Sequence, residues 1–193
     1  MQKQGSKPLL IAVGGLSGSG KTSLARALLA GVPNAVHLDS DRTRKELFGV
    51  SETTRLPPEA YSSQATFRLI KEMERRVKAH IAAGQSVIVS TTFQSAKSRH
   101  EQEKLAQETG AKFIGLWLQA DLSVLFDRVA KRVGDASDAG VDIVKMQASR
   151  SAGDIAWPVI NADQSREEVI NAAVKIISAK INQPRPAVCP KPR

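Results

Sequence analysis

The residue pattern with the clearest chemistry is the segment from Gly15 to Thr22, which reads GLSGSGKT. It matches G-x-x-x-x-G-K-[ST], in which glycine-rich backbone N–H groups surround the phosphates of a nucleotide. In this motif the lysine reaches the β- and γ-phosphates and the threonine hydroxyl joins the Mg²⁺ shell. We therefore expect bound ATP and Mg²⁺ here. The expected phosphate-binding residues are Gly15, Ser17, Gly18, Ser19, Gly20, Lys21, Thr22 and Ser23.

Two carboxylates, Asp39 and Asp41, follow the next apolar run. Residues two apart in an extended segment point the same way, so both are expected to line one cleft. We expect one of them to hold Mg²⁺ through water and the other to accept a hydrogen bond from the hydroxyl of an acceptor substrate. The structural alternative is that one of the two only caps the helix that follows.

Arg44 lies one helical turn after Asp41 and is expected to position an anionic group of the substrate. The one-turn spacing therefore predicts that Asp41 and Arg44 bind the substrate together. We assign no role to Arg42.

Arg128 and Arg132 lie four residues apart on one predicted helix, just before a glycine-flanked loop. We expect Arg128 to contact ATP and Arg132 to stabilise charge during phosphoryl transfer, as a lid at about 133–150 closes. Solvated helix surface is the alternative for both arginines. In the open lid they are expected to pair with nearby carboxylates, which are those of Asp135, Asp138 and Asp142.

The elements that must position these residues alternate along the chain. Short apolar runs predict strands at 9–13, 34–38, 86–90, 113–118 and 157–161. Apolar residues at helical spacing predict helices directly after the glycine-rich loop and at 43–48, 58–83, 95–109, from Asp121 onward, 141–150 and 166–181, with glycines 31, 84 and 110 ending three of them.

Strand–helix alternation predicts an α/β protein with a three-layer P-loop NTPase fold, in which helices flank a five-stranded, mainly parallel sheet. Ligands bind beyond the carboxyl ends of such strands. The glycine-rich loop, the Asp39–Asp41 segment and the Ser90–Thr92 segment are therefore expected to converge on one cleft.

Composition indicates one globular unit. The chain has 193 residues, of which 41% are hydrophobic and 24% charged. We expect a domain at 8–182, a flexible N-terminus at 1–7 and a disordered proline-rich tail at 183–193. No apolar run approaches the ~20 residues of a membrane span, so we expect a cytoplasmic location and no membrane partner. A single cysteine excludes an intrachain disulfide, and three scattered histidines do not suggest a zinc site.

The net charge of +9 makes a nucleic-acid partner possible but does not favour it. Part of the excess lies in the two tails, which contain no acidic residue, and a protein that neutralises a triphosphate needs basic side chains in any case. Only eight aromatic residues are present, so surfaces on which bases could stack are scarce.

These motifs resemble those of the small P-loop kinases, which include shikimate and gluconate kinases. They are more closely similar to a bacterial P-loop domain, called AAA-type ATP-binding or zeta-toxin-like, that occurs alone or fused behind an aminoglycoside-phosphotransferase-like domain. The matching segments are 41–49, 55–61, 92–93, 115–118 and 134–139. The resemblance implies ATP-dependent phosphorylation, with Asp41 as the base and with Lys21 and the lid arginines stabilising charge. It does not imply an acceptor.

One position departs from the resemblance. Relatives often carry an aspartate at the end of the third strand, where this chain has Ser90. Gluconate-kinase-like proteins also lack a carboxylate there, so the change is expected to shift Mg²⁺ binding toward Thr22, Asp39 and water.

Three functions stay open at this point. The first is transfer of phosphate from ATP to a hydroxyl of an unidentified small molecule. The second is a polynucleotide 5′-hydroxyl kinase, because such enzymes share an Asp-x-x-Arg that Asp41 and Arg44 match. The third, favoured by Ser90, is a nucleotide-binding regulatory module with weak ATPase activity.

Overall fold

The structure, a computed structural model, describes residues 7–132 and 136–182. Both expected tails, apart from Lys7, and residues 133–135 of the expected lid lie outside this range. The strands are β1 (Leu9–Gly15), β2 (Ala35–Asp39), β3 (Ser86–Ser90), β4 (Lys112–Gln119) and β5 (Val159–Asn161). The helices are α1 (Lys21–Leu28), α2 (Ser40–Leu47), α3 (Ser63–Ala82), α4 (Ala96–Thr109), α5 (Leu122–Ala130), α6 (Val141–Ala148) and α7 (Arg166–Asn182).

The five strands form one sheet in the order β2-β3-β1-β4-β5, and every neighbouring pair is parallel. β1 is the central strand and is buried along its whole length, as its continuous apolar run predicts. These observations confirm the predicted α/β fold with a parallel sheet.

Two layers of helices cover the sheet. On one face, alternate residues of β1 such as Ile11 and Val13 pack with α1 and α7. On the other face, Leu10 and Ala12 pack with α3 and α4. A smaller cluster joins α5 to α6 through Leu125, Val129 and Val144.

The layers place a crevice at the carboxyl ends of the central strands. α1 leaves β1 toward one face of the sheet, whereas α4 follows the neighbouring β3 on the other face. A crevice opens where connections of adjacent strands diverge in this way, and ligands of such sheets bind there. Gly15 is at this point, and its N–H donates to Thr92 O at 3.2 Å.

The helix predicted at 58–83 is wrong in its first turn. Residues Pro58–Tyr61 form a 3₁₀ turn, and α3 starts only after Ser62, whose hydroxyl accepts a hydrogen bond from Ala65 N. Within α3, Phe67 and Ile70 are exposed, and the buried stripe consists of Leu69, Met73, Val77 and Ile81.

Several smaller boundaries differ. α2 begins at Ser40 rather than Thr43, and β5 begins at Val159 because Trp157 instead packs onto Phe93 and Phe113. Gly84 and Gly110 have the left-handed φ angles (77° and 71°) expected after a helix. Gly31 does not, since α1 already ends at Leu28. None of the helices in the described ranges has the length and apolarity that a membrane span requires.

Candidate functional site

The glycine-rich loop connects β1 to α1 at the open end of the crevice. Gly15, Gly18 and Gly20 all have positive φ angles (137°, 87° and 92°). A Cβ atom at Gly15 would lie 2.5 Å from Leu118 O, so only glycine fits between the loop and β4. Gly20 is the N-cap of α1, which directs the free N–H groups of that helix toward the crevice. Ser23, in the first turn, is exposed.

Lys21 is the first residue of α1, and its ammonium group donates to Leu16 O at 2.9 Å. Burial lowers the pKa of Lys21 to about 8, although the charges of Asp41 and Asp39 oppose this shift. Arg132 lowers the pKa further and is therefore within electrostatic reach of the loop. Ser19, beside Lys21, is buried, and its Oγ has no hydrogen-bond partner among the described residues.

Asp39 ends β2 and connects three parts of the site. Its Oδ2 accepts hydrogen bonds from Thr22 Oγ1 and Ser90 Oγ, both at 2.8 Å, and its Oδ1 accepts from Asp41 N and Arg42 N. Burial alone would raise the pKa of Asp39, but these hydrogen bonds hold it below its ordinary value. The predicted alternative of an N-cap is therefore found at Asp39, in addition to its contact with Thr22.

Ser90 links Asp39 to His37. The Ser90 hydroxyl donates its single hydrogen to Asp39, so its oxygen accepts the hydrogen bond from His37 Nε2 at 2.8 Å. This assignment places the proton of the neutral imidazole on Nε2. Burial lowers the pKa of His37, which favours that neutral form. Ser90 thus orients the carboxylate of Asp39 instead of supplying one.

The oxygen atoms at this point suit Mg²⁺. No group of three or more His, Cys, Asp or Glu residues that could hold a metal by itself occurs within 7–132 and 136–182. Mg²⁺ keeps several waters and is usually bound by one or two carboxylates and the phosphates of a nucleotide. Thr22 Oγ1 and Asp39 Oδ2, which lie 2.8 Å apart, fit this smaller donor set, and their role as Mg²⁺ ligands stays a prediction. We refer to the loop 15–23 with Asp39 and Ser90 as the donor half of the site.

Asp41 lies in the first turn of α2, so the expected extended geometry of the Asp39–Asp41 pair is wrong. Its side chain is half-buried and faces the charges of Lys21 and Arg44. Burial and the nearby charge of Asp39 raise the pKa of Asp41, while a hydrogen bond with Ser137 and the two cations oppose the shift. The two carboxylates therefore have different environments. Asp39 is saturated with hydrogen bonds, and Asp41 is the more basic of the two.

Arg44 lies one turn further along α2. Its Nη1 donates to Ala60 O at 2.5 Å, and its guanidinium group stacks over the ring of Tyr61 with 4.9 Å between the guanidinium carbon and the ring centre. Arg44 Nε has no partner in the part of the chain that the structure describes. Tyr61 itself is 46% exposed and lies beside Asp41.

A buried ion pair fixes the surroundings of this stack. Lys45 is 1% exposed, and its ammonium group lies 3.0 Å from Asp138 Oδ1 and donates to Glu52 O at 2.7 Å. The second oxygen of Asp138 accepts from Tyr61 Oη at 2.7 Å and from Leu56 N at 2.9 Å. We refer to α2, residues 50–61 and residues 136–139 as the acceptor half.

The positions of the two arginines near the expected lid differ from the prediction. α5 ends at Ala130, so Arg132 lies beyond the helix and does not share a face with Arg128. Arg128 is half-exposed in the last turn of α5. The expected pairing of Asp138 with these arginines is wrong because Asp138 binds Lys45. Asp142 is exposed at the start of α6, and Asp135 lies outside the described residues.

α6 contacts the glycine-rich loop through Gln147. Its Oε1 accepts from Ser17 N at 2.9 Å, and its Nε2 donates to Ser17 Oγ at 3.1 Å. A cavity of about 310 Å³ lies next to this contact, between Leu16, the end of β4 and residues 147–152. Neither Asp41 nor Arg44 lines this cavity, so it is separate from the acceptor half.

Sequence reasoning missed several residues of the site. Lys45, Tyr61, Asp138 and Gln147 were given no role in it or the wrong one. Three of them could have been found, because Lys45, Tyr61 and Asp138 lie in segments that carry the family resemblance, namely 41–49, 55–61 and 134–139. Gln147 lies in none of these segments, and its partner Ser17 is distant along the chain.

With this geometry in place, comparison with known proteins assigns the family. A family model described as an AAA domain matches residues 10–152, which is most of the chain. The chain belongs to this family. Its sheet and its glycine-rich loop are those of a small P-loop kinase fold.

Two curated relatives have partial similarity. An uncharacterised protein of Mycobacterium tuberculosis is 29% identical over 147 residues, which cover 74% of this chain and 29% of that protein. The chain thus spans less than a third of the length of the first curated relatives that it matches. An adenylyl-sulfate kinase of Myxococcus xanthus is 33% identical over 129 residues, covering 65% of each protein.

Solved structures with the same fold include three kinds of protein. A sugar kinase from Janibacter sp. has a TM-score of 0.63 and 20% identity, covering 89% of this chain and 95% of that one. A gluconokinase from Sinorhizobium meliloti has a TM-score of 0.62 and 21% identity, with coverages of 90% and 93%. A chain of the Pnkp1/Rnl/Hen1 RNA repair complex has a TM-score of 0.56 and 23% identity, with coverages of 77% and 47%.

Proposed function

We propose that this protein transfers the γ-phosphate of ATP to a hydroxyl group of a small molecule, with Asp41 as the general base. The observation that carries the proposal is the pair of carboxylates beside the glycine-rich loop. Asp39 is held by Thr22 and Ser90 with a lowered pKa, whereas the pKa of Asp41 is raised. Two carboxylates whose pKa values are moved apart by their environments are typical of acid–base sites.

The donor half would bind the triphosphate of ATP. The loop supplies backbone N–H groups and the start of α1, Lys21 supplies a positive charge, and Thr22 and Asp39 supply oxygen ligands for Mg²⁺. Bound Mg²⁺ would neutralise charge on the phosphate oxygens. The ammonium group of Lys21 must leave Leu16 O to reach the phosphates, and the resulting contact would stabilise charge during transfer.

The acceptor half would present the hydroxyl group. Asp41 would accept the hydroxyl proton as the acceptor oxygen bonds to the γ-phosphorus and the bond to the ADP oxygen breaks. Arg44 lies one turn away and its positive charge acts on Asp41, so it would bind a polar or anionic group of the same acceptor. Arg132, which is within electrostatic reach of Lys21, would stabilise charge on the transferred group. Arg128 would contact ATP.

The comparisons support this reading. A curated relative is named as an adenylyl-sulfate kinase, and proteins with the same fold are named as a sugar kinase and a gluconokinase. Identities to these structures are low, so they indicate the fold and leave the acceptor of this chain to experiment.

A polynucleotide 5′-hydroxyl kinase is the second candidate. One observation favours it beyond the Asp41/Arg44 spacing: Tyr61 is exposed beside Asp41 and has Arg44 over one face of its ring. An exposed aromatic ring next to a cation is a surface on which a nucleobase stacks. The regulatory alternative has less support, because its main argument was the missing carboxylate at Ser90, and the carboxylate of Asp39 is in contact with Thr22.

The test is phosphate transfer from γ-labelled ATP to a panel of acceptors. The panel includes neutral sugars, gluconate, shikimate, adenylyl sulfate and a 5′-hydroxyl oligonucleotide, with the Lys21→Met protein as the control. We expect Lys21-dependent labelling of a small hydroxyl compound. Labelling of the oligonucleotide alone would establish the second candidate instead. ATP hydrolysis that no acceptor changes would contradict both.

A further inference from the structure

The segment 136–148 begins in the acceptor half, where Asp138 pairs with Lys45 of α2, and its far end contacts the donor half through Gln147. We propose that it acts as a clasp, with Asp138 and Gln147 as positioning residues that hold the acceptor half in place against the donor half. We refer to residues 136–148 as the clasp. The inference builds on the proposed function, which requires the two halves to meet, but it adds two residues to which neither the glycine-rich motif nor the Asp41/Arg44 pair assigns a role.

The first end of the clasp is anchored by charge. Asp138 pairs with Lys45 of α2, and it also accepts hydrogen bonds from Tyr61 Oη and Leu56 N. The pair is buried, with 2% of the Lys45 side chain and 12% of the Asp138 side chain exposed. Removing one partner of such a pair leaves an uncompensated buried charge, which is strongly unfavourable. This end therefore stays attached to α2.

The second end is anchored by a neutral amide. The carboxamide of Gln147 makes a paired contact with Ser17, in which it accepts from the backbone N–H and donates to the hydroxyl. The contact needs no ligand, so it orders the 16–18 corner of the loop in the free protein. An amide also adds no charge beside a site for phosphates. Two ordinary hydrogen bonds are weaker than the buried ion pair, so this is the end at which the clasp opens.

A second glutamine, Gln94, holds the backbone of Gln147 in place. Gln94, in the loop after β3, donates through Nε2 to the backbone oxygens of Gln147 and Arg150. Its own position is fixed, because Arg99 Nη1 donates to the oxygens of Phe93 and Gln94, each at 2.9 Å. Phe93 has a φ angle of 44°, a conformation that is unfavourable for a bulky residue and that persists only where the surroundings enforce it.

The helix α6 joins the two anchors. Asp138 is three residues before α6, and Gln147 is in its last turn, so the helix carries the position of one end to the other. Val144 attaches the middle of α6 to Leu125 and Val129 of α5. A displacement of Asp138 in the acceptor half therefore also displaces Gln147 and its contact with the glycine-rich loop, about one helix length away. This coupling would be absent if Asp138 and Gln147 made two independent local contacts.

Hydrogen exchange of the free protein tests the anchors without any nucleotide or acceptor. We expect Gln147→Leu, which keeps the side-chain size and loses both hydrogen bonds, to accelerate amide exchange in 141–148 about tenfold. Met146→Leu, an exposed neighbour on the same helix, is the matched control and should leave the rates within twofold. Unchanged exchange in the Gln147→Leu protein would overturn the proposal.

Coupling is tested by the dissociation constant for Mg²⁺–ATP in the absence of an acceptor. Gln147→Leu is expected to weaken ATP binding about five- to tenfold. Asp138→Asn, which touches only the acceptor half, should weaken it about two- to fivefold, and the double variant should be no weaker than Gln147→Leu alone. If Asp138→Asn does not fold, Tyr61→Phe takes its place, since it removes one hydrogen bond to Asp138 and keeps the ring.

Three results would contradict the clasp. Additive effects of the two variants would show independent contacts, and unchanged ATP binding in both acceptor-half variants would show no coupling. Tighter ATP binding by Gln147→Leu would show that Gln147 competes with nucleotide. These outcomes are distinct from failure of the proposed function, which would appear as wild-type protein that does not bind ATP or does not transfer phosphate.

Discussion

The donor half and the acceptor half of the cleft are held together by different interactions. In the donor half, short side chains and backbone N–H groups surround a loop whose shape depends on glycines at positive φ, and Asp39 is held by four hydrogen bonds. In the acceptor half, long side chains from three separate segments meet around the buried Lys45–Asp138 pair.

This difference follows from what each half has to do. Every nucleoside triphosphate presents the same phosphates, so a loop of backbone donors on a rigid strand and helix serves for all of them. Acceptors differ in shape and charge, and side chains on loops can be exchanged without disturbing the sheet. Under the proposed function, the donor half would therefore reflect the fold, and the acceptor half would reflect the substrate of this chain.

The largest effect is expected from a change in the donor half. Lys21→Met removes the charge that would contact the transferred phosphate, and we expect turnover to fall by at least about 10²–10³-fold. The free energy of unfolding should not decrease, because a buried ammonium group is replaced by an apolar side chain. Steady-state kinetics and urea unfolding measure the two quantities. A turnover within tenfold of the wild-type value would contradict the role of Lys21.

The acceptor half should respond in stability. Asp138→Ala leaves Lys45 buried without its partner, and we expect a loss of about 3–5 kcal/mol in the free energy of unfolding. Asp154→Ala, at an exposed carboxylate, is the control and should change stability by less than about 0.5 kcal/mol.

A paired substitution sharpens this result. In Lys45→Met/Asp138→Leu, apolar side chains replace both charges, so the part of the loss that is due to the uncompensated charge of Lys45 should return. The part that is due to the hydrogen bonds of Leu56 N and Tyr61 Oη should remain. Equal stability of the Asp138→Ala and wild-type proteins in urea would mean that the ion pair does not hold the acceptor half together.

The pH dependence of ATP binding should come from the donor half, through Lys21. Burial lowers the pKa of Lys21 to about 8 in the free protein, and bound phosphates would raise it. Between these two pKa values ATP binding takes up a proton, so affinity should fall by up to about tenfold per pH unit as the pH rises above 8. Calorimetric titrations at pH 7 and pH 9 measure this change. The Lys21→Met protein should lack it, and an equal slope in both proteins would assign it to another group.

The smallest effect is expected at Ser90. Ser90→Ala removes one of the four hydrogen bonds of Asp39 and the acceptor of His37 Nε2, while the remaining three hydrogen bonds still orient the carboxylate. We expect a loss of about 1–3 kcal/mol in the free energy of unfolding. A loss above about 3 kcal/mol, measured by urea unfolding, would show that the donor half also depends on a single side chain.

The difference between the donor half and the acceptor half also explains which features could be predicted from the sequence. The strand order was not predicted, but the parallel α/β fold was, because apolar runs, helical periodicity and glycines are local signals. The contact between Thr22 and Asp39 joins the ends of consecutive elements, which the topology of a parallel sheet brings together.

The acceptor half could not be predicted in this way. Lys45 and Asp138 are far apart in the sequence, and a buried lysine on a helix has the same local pattern as a solvated one. The expectation that Asp138 would pair with the arginines of α5 was wrong for this reason. The helix start at Pro58 was wrong because Ser62 is a better N-cap and leaves the preceding turn free to carry Tyr61.

The most direct test of the account is the Asp41→Asn protein. If Asp41 is the base, phosphate transfer to the acceptor should fall by about 10²–10⁴-fold, because asparagine cannot accept the proton. The dissociation constant for Mg²⁺–ATP should stay within about twofold at pH 6, because the glycine-rich loop, Thr22 and Asp39 are unchanged and Lys21 is charged in both proteins there, although the loss of Asp41 lowers the pKa of Lys21. Full transfer by Asp41→Asn would contradict the assignment of the base.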